Sequence, residues 1–397
     1  MKVLIVGAGI GGLCAALCLQ KAGHEVKVFE RSTEFVDTGA GIQLGANATR
    51  ILQYLGLLSK LESLAVKPYG VFFRNYSSGE ILYSAEFGDR YQEKFAAPYL
   101  HLHRADLHKT LLDALADPKD LRLGAKVIAY QEKKESVVLK VADGQCFEGD
   151  VLIGADGIRS KIKTHLLNDS EINNSAIKPQ FTGNVAWRGI VTSNQLPVDF
   201  MDAVLTNFVG PKKHMVIYYL RQQQLVNFVA VVQRDSQQDE SWVTEAPWQE
   251  LKSDFAGWHP TVQTVVDAMA DQPCYRWALY DHKPLSNWSS ERVTLLGDAA
   301  HATLPFLASG AAMAIEDARI LQRSLDKKDS IAKALQSYQA NRIKRTAKIQ
   351  AMSKKVGSLY HIQNPTLQNM AFKVVKSKSK KTESFLGGYD ANLVELI

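Results

Sequence analysis
Cysteine is scarce: the 397 residues hold only Cys14, Cys18, Cys146 and Cys274, with no Cys-x-x-Cys pair and no histidine beside them at ligand spacing. That excludes a disulfide-stapled scaffold and a cysteine-based metal centre, and Cys14 and Cys18, four apart on an expected helix, read as packing residues. No apolar run approaches the roughly 20 residues of a membrane span. The apolar start Val3 to Val6 runs into glycines and follows no basic region, so Met1 reads as the mature start of a cytoplasmic protein. Acidic residues are missing from Asn341 to Lys381, which carries eleven Lys and Arg; the remainder has 36 basic against 41 acidic residues. The net charge of +6 is therefore local, and the body of the chain has no nucleic-acid signature. Repeats are absent, and the nearest approach to low complexity, Lys373 to Lys381, reads as solvated surface before a membrane or nucleic-acid contact.

The remaining composition, 46% hydrophobic and 22% charged, fits a globular protein long enough for two domains and a tail. The first 30 residues are the most patterned. Val3 to Val6 reads as a buried strand, Gly7 to Gly12 as a Gly-x-Gly-x-x-Gly turn, Leu13 to Ala22 as a helix, and Val26 to Phe29 as a second strand ending at Glu30. Gly7 permits the tight turn, Gly9 lets a pyrophosphate approach the backbone, and Gly12 lets the helix pack on the sheet. Glu30, 18 residues past Gly12 and followed by Arg31, can accept hydrogen bonds from a ribose. Lying between two expected strands, the motif points to an ADP-containing dinucleotide.

Asp37 to Asn47 is too glycine-rich for a core strand and reads as a loop, either plain or lying against a flat ligand, before a helix from Thr49 to Leu58. Gly70 to Phe73 and Ile81 to Ser84 flank Ser77-Ser78-Gly79 as a hairpin outside the nucleotide domain. Arg104 opens a helix over Leu107 to Ala116, where the helix dipole opposes a cation, so an anionic partner is expected: a phosphate or a surface carboxylate. Strands flanking Asp143-Gly144 lead to Val151 to Ile153 and then Gly154-Ala155-Asp156-Gly157, a carboxylate at a strand end.

From about Gln180 the strands lengthen. Asn184 to Val191, His214 to Leu220 and Leu225 to Gln233 read as an antiparallel sheet with one covered face. On the middle strand His214 and Tyr218 share a face while Tyr219 points away; four residues separate them by roughly 13 Å, so one small molecule touches both only by lying between them, or if a bulge closes the gap. The chain then reaches Val293 to Leu296 and Gly297-Asp298-Ala299-Ala300-His301. Asp298 is a second carboxylate at a strand end, and past Pro305 a small-residue helix begins at Gly310-Ala311 with its N–H groups facing the same place. Further helices follow to about Leu325 and from Ser330.

These motifs, in this order, resemble the single-component FAD-dependent aromatic hydroxylases, in particular the salicylate-hydroxylase-like group. Val185-Ala186-Trp187-Arg188-Gly189-Ile190, Leu225 to Ala230, Phe255 to Pro260 and Gly388-Tyr389-Asp390 extend the similarity from Lys2 to about Tyr389. The resemblance implies an α/β fold: a Rossmann-like FAD-binding domain (1–68, 98–179 and 276–340), an inserted antiparallel-sheet substrate domain (69–97 and 180–275) and a basic C-terminal helical segment (341–397). It implies FAD held by Gly7, Gly9, Gly12, Glu30, Arg31, Arg104, Asp156, Asp298, Gly310 and Ala311, with NADH or NADPH as a transient cosubstrate because no second nucleotide fingerprint exists. Asp156 matches a motif linked to both nucleotides.

The implied reaction is hydroxylation, with or without decarboxylation, of a small phenolic or heteroaromatic acid by O2 through a C4a-hydroperoxyflavin. His214 is the candidate base or phenolate partner, against a purely structural histidine, and Tyr218 a substrate hydrogen bonder. Pro305 matches a residue lining the substrate cavity, and His301 reads as shaping its turn. Ala302 and Ser309 depart from the family, where proline and glutamine are common. Alternatives are a larger polyketide-like or antibiotic ring as substrate, or a flavin-bearing binding module docked through the basic tail. No metal is expected, and a homodimer is compatible with the sequence.

Overall fold
The computed structural model describes residues 1–35, 40–168, 179–234, 243–270, 272 and 274–397. Two sheets dominate it. The first is five-stranded and parallel, in the order Val293–Leu295, Val151–Gly154, Lys2–Val6, Glu25–Phe29, Leu121–Arg122. Its central strand has helices on both sides, which is why Val3, Leu4 and Ile5 are apolar without alternation and wholly buried. Helix Ile10–Lys21 makes the crossover and carries Cys14 and Cys18 inward. Helix Gly310–Lys327 packs on it so closely that a Cβ on Gly11 would lie 3.0 Å from that of Ala314.

The second sheet has eight strands, in the order Val243–Ala246, Cys274–Asp281, Gln180–Thr192, Leu225–Gln233, Lys213–Leu220, Leu205–Gly210, Gly70–Asn75, Ile81–Glu86. All neighbours are antiparallel except Leu205–Gly210 with Gly70–Asn75. The expected hairpin is thus its edge. One face, with Trp187, Phe228 and Ile217, is covered by helices Trp248–Asp254 and Pro260–Asp267. The other face, expected to lie open, is covered as well: Ala186, Val209 and Val231 pack with Leu304, Phe306, Tyr360 and Phe372.

Two other expectations change. Gly41–Leu44, read as loop, is a short strand paired with Leu100–His103, because backbone pairing tolerates glycine where no side chain must pack; Asp37 to Gly39 lie outside the described residues. The helix expected over Thr49 to Leu58 is two, Ala46–Tyr54 and Leu58–Leu64, separated at Gly56 with φ +79°. Helix Arg104–Asp113 begins at Arg104 itself.

The basic C-terminal segment is helical and integrated. Helix Ile331–Tyr360 runs unbroken across position 341, and its 30 residues span about 45 Å. Near its start Tyr338 Oη donates to Leu295 O of the parallel sheet at 3.0 Å; at its end Tyr360 and His361 reach the eight-stranded sheet. Helix Pro365–Gly387 follows. Among the described residues no helix is long and apolar enough to cross a membrane.

A Cβ at Gly12 would sit 2.0 Å from Gly7 O, a backbone atom with nowhere to move. Gly12→Ala should therefore destabilise the protein by about 3 kcal/mol, measured as a fall of several degrees in Tm; an unchanged Tm would show that the helix can shift.

Candidate active site
The glycine turn is tight beneath and open above. Gly7 has φ +104°, and a Cβ there would strike Ala155 O at 2.4 Å, whereas nothing lies within 4 Å of a Cβ on Gly9. Gly9 is the N-cap of helix Ile10–Lys21, whose first N–H groups have no intrahelical partner. Glu30 fastens the turn to the next strand: Ala8 N donates to Oε2 and Ser32 N to Oε1, both at 2.9 Å. Arg31 is exposed beside it. An open backbone at a helix N-terminus with a carboxylate alongside fits a pyrophosphate and its ribose.

Asp298 follows strand Val293–Leu295 and Gly297, whose φ of +63° makes the sharp exit. Its side chain is exposed although Gly297, Ala299 and Ala300 are buried. Desolvation by the protein packed around it raises its carboxyl pKa, against the pull of His301, Arg104 and Lys163. Lys163, which the sequence reading missed, is buried with Nζ donating to Ile158 O at 3.0 Å and standing 2.8 Å from His282 Nε2. Desolvation pulls it down to about 8, against the attraction of Asp156 and Asp298. Asp156 itself accepts from Ser160 Oγ and from the amides of Lys161 and Ile162, which begin helix Lys161–Asn168. Its carboxylate is thus a helix cap that shapes the loop.

His301 is part of a buried ionic network. Asp317 Oδ2 is 2.5 Å from His301 Nε2 and accepts from Gly297 N at 3.0 Å, while Oδ1 accepts from Arg342 Nε at 2.7 Å. Glu316 joins Arg342 and Arg345, and accepts from Asn47 Nδ2 at 2.6 Å. Burial by itself would raise Asp317, but His301 and Arg342 outweigh it and hold the carboxyl at about 2.

The second half of the site is the covered face of the eight-stranded sheet. His214 pairs with Val231 and Tyr218 with Asn227 in an unbroken register, so no bulge brings the two side chains together. Tyr219 lies in the opposite core, as expected. His214 is buried against Phe306 and Tyr360, with Nδ1 2.8 Å from His361 Nε2. Desolvation, and then the neighbouring ring, push its pKa well below the usual value; desolvation takes His361 to about 4. Tyr218 stands at the other end, 4.6 Å from the His101 ring, with its hydroxyl where a Cβ on Gly41 would fall. Asn227 Oδ1 accepts from Gly41 N at 2.7 Å.

Opposite this face is the turn before helix Gly310–Lys327. Pro305 opens the 3-10 segment Pro305–Leu307, and Ala308 takes φ +47° to reverse the chain. Ser309 Oγ donates back to Leu307 O at 2.8 Å and does not cap, so the amides of Gly310 and Ala311 stay available at the half-buried helix start. Ala302 has φ −48°, a value proline adopts, so the backbone keeps a proline-compatible path. Arg104 sits at the start of its helix, where Asp298, His108 and Arg188 feel its charge.

Sequence reasoning missed Arg188, Asn227 and His361. The first two carried a signal, a polar residue at an inward position of an otherwise apolar strand. His361 carried none, since only the long helix brings it to His214.

A glycine turn with an acid on the next strand, a Gly-Asp exit from a third strand and a covered sheet facing them define a nucleotide-cradling oxidoreductase. The family described as FAD binding domain matches residues 1–353. A 3-amino-4-hydroxybenzoate 2-monooxygenase of Streptomyces platensis is 36% identical over 93% of this chain and 91% of its own length. The 3-hydroxybenzoate 6-hydroxylase of Polaromonas naphthalenivorans is 34% identical over 91% and 89%. Among solved structures, Klebsiella pneumoniae HpxO complexed with FAD and uric acid has TM-score 0.86 at 26% identity over 98% and 96% of the two chains. A salicylate hydroxylase substrate complex has TM-score 0.84 at 28% identity over 98% and 96%. The chain belongs to the FAD-dependent aromatic hydroxylases, with FAD as its cofactor.

A carboxyl held at about 2 contributes stability that is complete above pH ~4 and lost as pH falls towards 2, roughly 2 kcal/mol in all. Asp317→Asn should cost about 3–5 kcal/mol at neutral pH by leaving His301 without its carboxylate and Arg342 with Glu316 alone, and should flatten the acid limb of stability. Thermal denaturation across pH 2 to 7 checks both; an unchanged acid limb would remove Asp317 from its origin.

Proposed function
We propose that the protein uses NADH or NADPH and O2 to hydroxylate a small phenolic or heteroaromatic acid, with or without loss of a ring carboxylate. The observation that supports this best is the composition of the covered sheet face. Among Val, Ala and Phe it presents His214 and Tyr218 at two ends, an apolar wall with polar groups at its rim, which suits one flat ring lying between them.

FAD, when bound, takes reducing equivalents from the nicotinamide and activates O2 as an electrophilic oxygen donor. The chain's part is to hold and polarise. Gly7, Gly9 and Gly12 with the helix amides would receive the pyrophosphate, Glu30 the adenosine ribose and Asp298 a ribityl hydroxyl, with Arg31 and Arg104 supplying positive charge along the nucleotide. The amides of Gly310 and Ala311, uncapped at the helix start, would favour negative charge on the flavin ring. Asp156 acts through the loop it caps. Pro305 borders the ring of the substrate.

A phenol with pKa about 10 is neutral at pH 7, and ionising it costs roughly 4 kcal/mol. His214 is the group placed to help. In the tautomer in which Nδ1 donates to His361, its Nε2 is left to accept from the phenol; because burial depresses its pKa, it polarises the O–H as a neutral acceptor and does not store the proton.

Nicotinamide oxidation should be strongly stimulated by one among hydroxybenzoates, aminohydroxybenzoates and hydroxynicotinates, with hydroxylated product formed. Slow peroxide production, equal with all of them, would reject the substrate class. His214→Ala should lower coupled turnover by about 10²–10⁴-fold with FAD content unchanged; full activity would remove His214 from the chemistry.

A further inference from the structure
Arg188 is an unusual residue for a sheet interior. It lies on strand Gln180–Thr192, opposite Val229 of the neighbouring strand, and so on the same face as Ala186, Asn227 and Tyr218. Its guanidinium stands over the Trp277 ring, 5.5 Å from the centroid. Among the described residues it meets no carboxylate and makes no hydrogen bond, and Nε is buried without a partner. The charges acting on it are those of Tyr218 and Arg104, a phenol and a second cation. A guanidinium held there without an acceptor is poorly placed for stability alone.

A second unfilled donor lies next to it. Asn227 uses Oδ1 to accept from Gly41 N, which orients the amide and leaves Nδ2 buried with nothing to donate to. Arg188 and Asn227 are diagonal neighbours across the strand pair, about 7–8 Å apart at the backbone and within reach of an arginine side chain. Two buried donors without partners on one face of the sheet, one of them on a cation within electrostatic reach of Tyr218, call for an anionic group with two acceptor oxygens.

We propose that Arg188 and Asn227 form a carboxylate subsite, which holds the acid group of the substrate at the Tyr218 end and directs the opposite edge of its ring to His214. The inference rests on the aromatic-acid reading above and goes further by naming the residues that select the acid. It also accounts for the direction of the ring: with the carboxylate anchored on the strand beside Tyr218, a hydroxyl across the ring points along the strand to His214. Arg188 then selects and positions the substrate, while His214 remains the residue at the phenol oxygen.

The test uses oxidised holoenzyme without nicotinamide, reading ligand binding from the perturbation of flavin absorbance. Each aromatic acid is paired with its decarboxylated analogue: 3-amino-4-hydroxybenzoate with 2-aminophenol, and 3-hydroxybenzoate with phenol. Arg188→Gln should weaken the acids roughly ten- to hundredfold and the phenols less than about threefold, with FAD retained. Arg188→Lys should recover part of the loss by restoring charge without the fork. Asn227→Asp keeps an acceptor for Gly41 N and replaces the donor by a like charge, so it should weaken the acids at least as much as Arg188→Gln.

Equal losses for acid and phenol, or none, would overturn the subsite. Loss of FAD from Arg188→Gln would assign the guanidinium to the cofactor and overturn it too. Wild-type enzyme that binds the phenols but not the acids rejects the subsite alone; wild-type enzyme that binds none of the four rejects the aromatic-acid reading together with it.

Discussion
The buried contact of Glu316 and Asp317 with Arg342, Arg345 and His301 fixes the relative placement of almost everything else. Two adjacent carboxylates at one level of helix Gly310–Lys327 tie down the Gly297 exit through its amide and His301, the long C-terminal helix through two arginines, and helix Ala46–Tyr54 through Asn47. Arg345 reaches on to the carbonyl of Phe385 and so anchors the last helix. Paired charges in a protein interior gain little over a well-packed apolar cluster, but each must find its partner, and that requirement admits one arrangement of the elements. The network therefore sets geometry more than it adds net stability. The Asp298 carboxylate inherits its position from it, one residue beyond the tethered Gly297.

That geometry has two halves with different demands. The cofactor half is built from backbone: glycines that must lack a Cβ, helix starts with free amides, and strand ends that expose one acid each. The proposed substrate half is built from side chains on a face that packing covers, so every polar group there is costly unless it meets a partner. His214 meets His361, and Tyr218 sits against His101 and Gly41. Arg188 Nε and Asn227 Nδ2 are among the buried polar atoms that find no partner within the protein, and they are the two donors of the proposed subsite.

The two halves meet because the chain returns. Helix Ile331–Tyr360 starts beside the parallel sheet and ends beside the antiparallel one, and the Pro305 turn lies between them, closing the face that His214 and Tyr218 line. The basic C-terminal segment is in this sense part of the candidate site. Its arginines complete the ionic core and His361 completes the histidine pair, while its lysines, such as Lys373 and Lys376, remain exposed.

What the sequence determined by itself was what depends on local backbone: the strand, glycine turn and helix from Lys2 to Lys21, Glu30 at the end of the second strand, the Gly297-Asp298 exit, and the alternation that puts His214 and Tyr218 on one face and Tyr219 on the other. Such features have a period or a steric requirement that a few neighbouring residues express. Tertiary structure decided the rest. That both faces of the large sheet are covered, that Gly41–Leu44 pairs as a strand, and that His361 meets His214 all join residues far apart in the chain. No local pattern encodes a partner 147 positions away; only the long helix, held by Arg342 and Arg345, delivers it.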